Sequence, residues 1–358
     1  APEVILLRAR RVDDKPAVAS RWIWRLRTLA AGGLGGRTAA DDALKPAADA
    51  DPILWAQALR KPGKVMPAKP PAPTPTVLSR ALDNFSPSRV VTLIRDPYAD
   101  YARRVLRLKP LRGVGEDVDA RERGTAVHAA IEGFEGDENE KALGALIEGE
   151  LNAAGAAEEL IRLEMPLWVR ASAAYVRWSA ERAPRRADFV TEAEGEIIFD
   201  TSVGPVRLKA TADRIDLMKD GTIAVIDFKT GQPKKAAQVE SGLEPQLALE
   251  AAIAARAPFH KDGRSIGPAP TSELIYFRMS MSAETAKDDN GQPLAFKNGT
   301  TAQIAEDALE GLKALIDQYA NPAQPYYSKP RVEFIWTVSD YDRLARRAEW
   351  SADEGGEE

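Results

Sequence analysis

The chain has 358 residues, of which 44% are hydrophobic and 29% charged, and a net charge of −5; it is long enough for one large domain or two modest ones, and its charge does not describe a protein that coats nucleic acid by bulk attraction. The absence of cysteine excludes disulfides, thiol nucleophiles and cysteine-held iron–sulfur clusters and fits a cytoplasmic protein, while two histidines are too few for a histidine-rich zinc site. No uninterrupted apolar run reaches membrane-spanning length, so no membrane partner is expected.

In chain order, residues 3–8 read as a strand-like apolar run and residues 17–30 as a helix carrying Trp22, Trp24 and Leu26, broken by the glycine cluster at 32–36. That cluster lacks the lysine and Ser/Thr of a phosphate loop, so it reads as a helix-to-helix connection. A short helix follows over 52–59, and so little apolar content buries a core poorly. Residues 1–60 are therefore expected to be the remnant of a larger upstream domain. Six prolines between 61 and 76 remove donors and fix φ, which marks 61–77 as an extended linker.

Beyond it, residues 78–358 form the main domain. Ser86-Pro87 supplies an N-cap and a first-turn proline for a helix that Pro97 ends or renews, and 98–108 continues as a basic helix. Residues 78–112 hold eight basic and three acidic side chains, a local excess of five positive charges that suits a phosphate-facing region. Helices are predicted over 122–134 (with His128), 142–153 and 158–182, strands across 189–228, a helix over 245–255, a strand over 272–279 and a last helix over 301–319. Helices, then a strand block, then helix and strand indicate an α/β domain around a small mixed sheet.

The most informative stretch lies in the strand block. Residues 206–217 alternate apolar and polar in part, Asp220-Gly221 is a turn signal, and 222–228 is a short apolar run, so a tight hairpin returns Asp213 towards Asp227. Asp227 and Lys229 are two residues apart and share one strand face. Converging carboxylates repel unless a cation lies between them, and hard oxygen ligands favour Mg²⁺ or Mn²⁺. A neighbouring lysine can then hold an anionic substrate or orient a water, which together describe a phosphodiester-cleaving site. Asp216, an odd number of residues from Asp213, faces the other side of a regular strand and is expected either to bridge to Arg214 or to stand exposed.

Four segments, Gly124-Thr125-Ala126-Val127-His128, Asp213-Arg214-Ile215-Asp216, Asp227-Phe228-Lys229-Thr230-Gly231 and Gln246-Leu247-Ala248-Leu249-Glu250, stand in the order of RecB-type nuclease motifs. The main domain thus resembles the PD-(D/E)XK, restriction-endonuclease-like superfamily, a small mixed sheet flanked by helices, with additional helices here. The nearest likeness is to the C-terminal part of AddB subunits of AddAB helicase–nucleases, in their cysteine-free form. The resemblance implies a Mg²⁺-dependent deoxyribonuclease acting on unwound single-stranded DNA in double-strand break repair. It also implies an AddA-like partner subunit and a helicase-like origin for residues 1–60. Carried over by position, Asp213, Asp227, His128 and the backbone carbonyl of Phe228 bind the metal, Lys229 positions water or steadies developing charge, and Gln246 orients the lysine or touches DNA.

Three positions depart from the motifs. Ala210 stands for a glycine, Glu250 for a tyrosine four residues after the glutamine, and Asp96 for a cluster cysteine. No iron–sulfur cluster is expected, and packing of Tyr98, Tyr101, Trp336 and Tyr341 is expected to replace its pinning role. Two rival readings are a catalytically silent DNA-binding module of the same complex and a free-standing Cas4-like exonuclease.

Overall fold

The strand block folds, in a computed structural model of the chain, into three consecutive antiparallel strands that carry most of the candidate site. The structure describes residues 4, 6, 8–9, 11–12, 15–45, 52–61, 68–110, 118–134, 139–280 and 290–351. Two units are present, Ala1–Pro67 and Ala68–Glu358.

In the first unit a two-stranded antiparallel pair, β1 (Arg11–Val12) and β2 (Lys15–Pro16), precedes helices α1 (Arg21–Gly33), α2 (Arg37–Ala43) and α3 (Pro52–Arg60). The helix expected from residue 17 starts at Arg21, because Ser20 takes the N-cap and accepts a hydrogen bond from Ile23 N. Ala40 is the one buried residue among those described in this unit, and Trp22 and Trp24 are exposed. The strand-like run at 3–8 falls largely outside the described residues.

The second unit begins with extended backbone in which Pro73 accepts a hydrogen bond from Tyr326 N. It continues through β3 (Asn84–Phe85), α4 (Pro87–Arg95), α5 (Pro97–Asp100), α6 (Ala120–Glu132), α7 (Glu140–Ala153), α8 (Glu158–Arg182), β4 (Arg186–Thr201), β5 (Gly204–Met218) and β6 (Ile223–Lys229). There follow α9 (Ala236–Glu240), α10 (Gln246–Ala254), β7 (Phe259–Lys261), β8 (Arg264–Ile266), β9 (Thr271–Arg278), α11 (Thr301–Ala320) and α12 (Arg347–Trp350). The seven-stranded sheet has the order β8-β7-β4-β5-β6-β9, with β3 parallel to β5. β6 and β9 are parallel and β4, β5 and β6 antiparallel, so the sheet is mixed. One face packs on α4, α10 and α11 through residues such as Val225, Leu249 and Leu312. The other packs on α6, α7 and α8 through Ile226, Phe228, Ile147 and Trp168. Sandwiching the sheet between two helical layers buries both faces of β6, which explains its continuous apolar run.

The basic helix expected over 98–108 is instead α5 followed by a π turn, Tyr101–Val105. Arg103 and Arg104 are exposed on that turn, whereas Tyr98, Tyr101 and Tyr341 pack together with Ala99, Ala102 and Ala345. Trp336 takes no part in this packing, being 79% exposed. The two chain segments are tied by polar contacts instead: Lys329 N donates to Asp96 Oδ1 at 3.3 Å, Tyr98 N to Tyr327 O at 3.1 Å, and Lys329 Nζ pairs with Asp342 at 2.6 Å.

Candidate active site

The β5–β6 hairpin forms because its turn is chemically specified. Asp220 Oδ1 accepts from Thr222 N at 2.9 Å, and Gly221 takes the left-handed φ of 82° that the reversal requires. The last paired residues are Arg214 and Ile226, and one step further Asp213 Oδ2 accepts from Phe228 N at 2.7 Å. Asp213 is thereby locked against β6.

Both long strands change phase at this level. On β5, Val206, Leu208, Ala210 and Ala212 point to the α10 side, and so does Ile215, so the alternation slips by one residue at Asp213. On β4, Val190 and Ala193 share that side, and the slip falls at Glu192, whose φ is +47°. The ladder pairs Thr191 with Arg214 and Ala193 with Ala212, leaving Glu192 opposite Asp213 without a ladder pairing. Beyond the slip, Arg214 and Asp216 turn to the α8 side as a fully buried pair at 2.7 Å, and Arg182 joins Asp216 at 3.1 Å. Of the two roles expected for Asp216, the bridge to Arg214 is the one formed, and the exposed one is not.

Helix α6 brings His128. Gly124 lies one turn earlier, and a Cβ there would stand 3.3 Å from Thr230 Oγ1, so the glycine admits the close approach of α6 to the end of β6. His128 Nε2 sits 3.0 Å from Phe228 O, while Nδ1 faces Asp213 Oδ1 at 3.3 Å and Glu192 Oε1 at 4.0 Å. With the Nε2 proton donated to the carbonyl, a neutral ring turns the Nδ1 lone pair towards two carboxylates. Three acceptors facing one another call for a proton or a cation between them. His128, Glu192 and Asp213 are the one group among the described residues able to hold a metal ion, with ligand atoms within 4.8 Å of one another.

Asp227 and Lys229 project on the α10 side. Lys229 Nζ donates to Asp227 Oδ1 at 2.8 Å and lies 2.6 Å from Oδ2, which has no properly directed donor; Gln246 Nε2 donates to Oδ1 at 2.8 Å from the first turn of α10. The structure therefore gathers all the residues expected at the site but divides them. Asp213 and His128 stand with Glu192, Asp227 stands with Lys229 and Gln246, and the Phe228 carbonyl faces His128. Glu192 is absent from the sequence expectation. Its signal was the lapse of strand alternation at 191–193, which has no meaning until β4 and β5 are paired. Glu250, one turn after Gln246 and 3.3 Å from its amide, is buried with Oε2 unpartnered.

The electrostatics reflect this crowding. Burial and the Asp213 charge push Asp227 up to about 7. Burial and Asp213 likewise push Glu192 up to about 7. Burial and the Asp227 and Asp213 charges push Glu250 well above the usual carboxylate range. Burial opposes a charge on His128, but the hydrogen bond and charge of Asp213, with Asp227 and Glu192, outweigh it and raise its pKa. Burial likewise opposes the Lys229 ammonium, and Asp227 more than compensates. Lys229 is thus a cation and a hydrogen-bond donor, not a base.

A hairpin carrying Asp213 and Asp227-Phe228-Lys229, flanked by helices on a mixed sheet, is the motif geometry of one family, and the family model described as "PD-(D/E)XK nuclease superfamily" matches residues 84–330. The chain belongs to the PD-(D/E)XK nuclease superfamily. Nucleases of this superfamily use divalent metals, and the set of one imidazole and two carboxylates beside Asp227 fits such an ion. Among curated proteins, it is 25% identical over 175 residues to an uncharacterized protein of Rickettsia bellii, covering 46% of this chain and 21% of that one. It is 24% identical over 214 residues to an uncharacterized protein of Rickettsia conorii, covering 55% and 25%. The chain spans a quarter or less of the length of these relatives. A solved structure, described as that of SSO0001, shares 12% identity over 64% of this chain and 76% of that one, with a TM-score of 0.26. No helix among the described residues is long and apolar enough to cross a membrane.

Proposed function

We propose that the chain is a Mg²⁺- or Mn²⁺-dependent deoxyribonuclease that hydrolyses phosphodiester bonds of unwound single-stranded DNA. The observation that carries this reading is the convergence of His128 from α6, Glu192 from β4 and Asp213 from β5 beside the Asp227–Lys229 pair of β6. His128, Glu192 and Asp213 would hold the cation, with Asp227 beside them, while the Phe228 carbonyl, expected as a ligand, instead faces His128 Nε2 and orients the ring. A bound divalent ion supplies Lewis-acid polarisation of the phosphate and a more acidic water. Lys229, kept as an ammonium by Asp227, donates to the attacking water or to the oxygens on which charge accumulates. Gln246 fixes the Asp227 carboxylate so that the lysine is presented in one position. The Asp213–Phe228 N bond holds the two strands in register under these groups.

The likeness of the four motifs to those of AddB supports a place in a helicase–nuclease of double-strand break repair, with an AddA-like subunit delivering the strand. The test is cleavage of end-labelled single strands by wild type and Asp227→Asn with Mg²⁺, Mn²⁺ or EDTA. Metal-dependent products lost in the variant support the reading. DNA binding without cleavage, unaffected by metal or mutation, would favour a silent module instead.

A further inference from the structure

The local excess of positive charge over residues 78–112 is not uniform once folded. Arg80 is fully buried and donates to the carbonyls of Pro75, Tyr319, Asn321 and Pro322. Arg89 is buried against Asp100 at 3.2 Å, and Arg95 pairs with Glu244. These three guanidinium groups build the fold. Arg103 and Arg104 do not: they are exposed on the π turn and form no ion pair with any described residue, and the same holds for Arg121 at the start of α6.

Two cavities meet beneath them. The outer one, about 530 Å³, is bordered by Arg103, Arg104 and Arg121, with Ser88, Thr92 and the Asp340 rim. Its other acidic neighbours are already engaged, Asp100 by Arg89 and Asp96 by Lys329 N. The inner one, about 450 Å³, lies between the β3–α4 turn and the Lys209–Thr211 stretch of β5, and its far wall is Gln246 and Glu250. Ser88 and Arg104 border both cavities, so they form one trough that ends at the side chains fixing Asp227. The inner volume lies in the range of sites for small ligands, about 300–1,000 Å³. Its walls are mixed: Arg104 and Lys209 are cationic, the latter shared with Glu194, and Glu250 and Gln246 offer groups that match base edges. A paired base has its Watson–Crick edge engaged and its faces stacked, so it cannot enter such a cavity; an unpaired, unstacked one can.

We propose that this trough is the path of the substrate strand, with Arg103, Arg104 and Arg121 gripping successive phosphates and the inner cavity taking one unpaired nucleotide next to the bond that is cut. The path rests on the nuclease reading and adds to it the route of the strand and the residues that hold it. π turns are frequent at functional sites, and this one, which follows α5, presents two adjacent arginines to the trough.

The experiment is fluorescence anisotropy of a labelled single strand in EDTA, over a range of salt, with cleavage measured separately in Mg²⁺. Each phosphate contact contributes about 0.7 to the slope of log K against log salt for a single strand. Arg104→Ala is expected to flatten the slope by about 0.7 and weaken binding several-fold. Arg103→Ala/Arg104→Ala should double the change in slope, and Arg162→Ala on α8 should leave it unaltered. A blunt duplex of the same sequence should compete at least tenfold less well than the single strand. All of these substitutions are at exposed positions, so folding is expected to survive them. Wild-type slope and affinity in the double variant, or equal competition by duplex, overturns the path. If wild type still cuts in Mg²⁺, the nuclease reading stands without it; if wild type neither binds nor cuts, both fall.

Discussion

Replacing Glu192 by glycine is expected to move two quantities in opposite directions. A side chain at the left-handed φ of +47° costs roughly 1–2 kcal/mol, and glycine removes that cost while giving back roughly 0.5–1 kcal/mol in unfolded-chain entropy. The metal-free protein should therefore gain about 0.5–1 kcal/mol, near 2 °C in the melting of the larger unit. The same change deletes one of the three groups facing the candidate metal position. Partners that merely orient metal ligands are worth about 10–100-fold in affinity, so loss of Glu192 should weaken Mn²⁺ by about 30-fold, about 2 kcal/mol of ligand-induced stabilisation at saturating ion. Differential scanning fluorimetry with and without Mn²⁺, and calorimetric titration of Mn²⁺, read both effects. Glu192→Asn, which tolerates the left-handed region, should lose the metal effect with little change in the metal-free melt. A glycine variant that melts lower without metal, or retains the full Mn²⁺ shift, would show that Glu192 is not strained or does not face the ion.

Three further outcomes are expected. Asp227 and Glu192 are pushed up to about 7, above their unfolded values, so the folded state holds more protons than the unfolded state between about pH 4 and 7. Stability of the metal-free protein should consequently fall as pH rises through 7, and Mn²⁺ should reverse the trend, as pH-series melts with and without ion will show. Asp216→Ala strips the buried Arg214 and Arg182 of their shared partner and should destabilise the fold by about 3–5 kcal/mol in urea denaturation. Lys229→Met should lower the single-turnover cleavage rate at least 100-fold while leaving calorimetric Mn²⁺ affinity within a few-fold of wild type; loss of metal binding would place the lysine's role in holding the centre instead.

The hairpin was readable because its determinants are local: an Asp-Gly turn, a run of β-branched residues and a two-residue spacing that fixes the face shared by Asp227 and Lys229. Gln246 and His128 were readable only through motif resemblance, since nothing in an apolar helix reveals that one turn of it ends beside a strand carbonyl. Glu192 escaped because its direction depends on a slip of phase shared by two strands, and a single sequence shows only an imperfect alternation. The basic stretch illustrates a different limit. Composition counted Arg80, Arg89 and Arg95 with Arg103 and Arg104, yet the first three are consumed by backbone carbonyls and carboxylates more than a hundred residues away in several cases. The expected role of Trp336 failed for a similar reason: an aromatic residue in sequence carries no mark of which side of a loop it occupies, and Lys329 and Asp342 hold that segment instead.

The most direct measurement is single-turnover cleavage of an end-labelled single strand by wild type and Asp213→Asn, with Mn²⁺ binding measured on the same preparations. Asp213 joins the two halves of the site, facing His128 and Glu192 through one oxygen and the β6 backbone through the other. Wild type is expected to cut only with metal, and the variant to lose both cleavage and Mn²⁺ binding while remaining folded. An Asp213→Asn protein that cuts at the wild-type rate, or a wild type that cuts equally well in EDTA, would contradict that expectation.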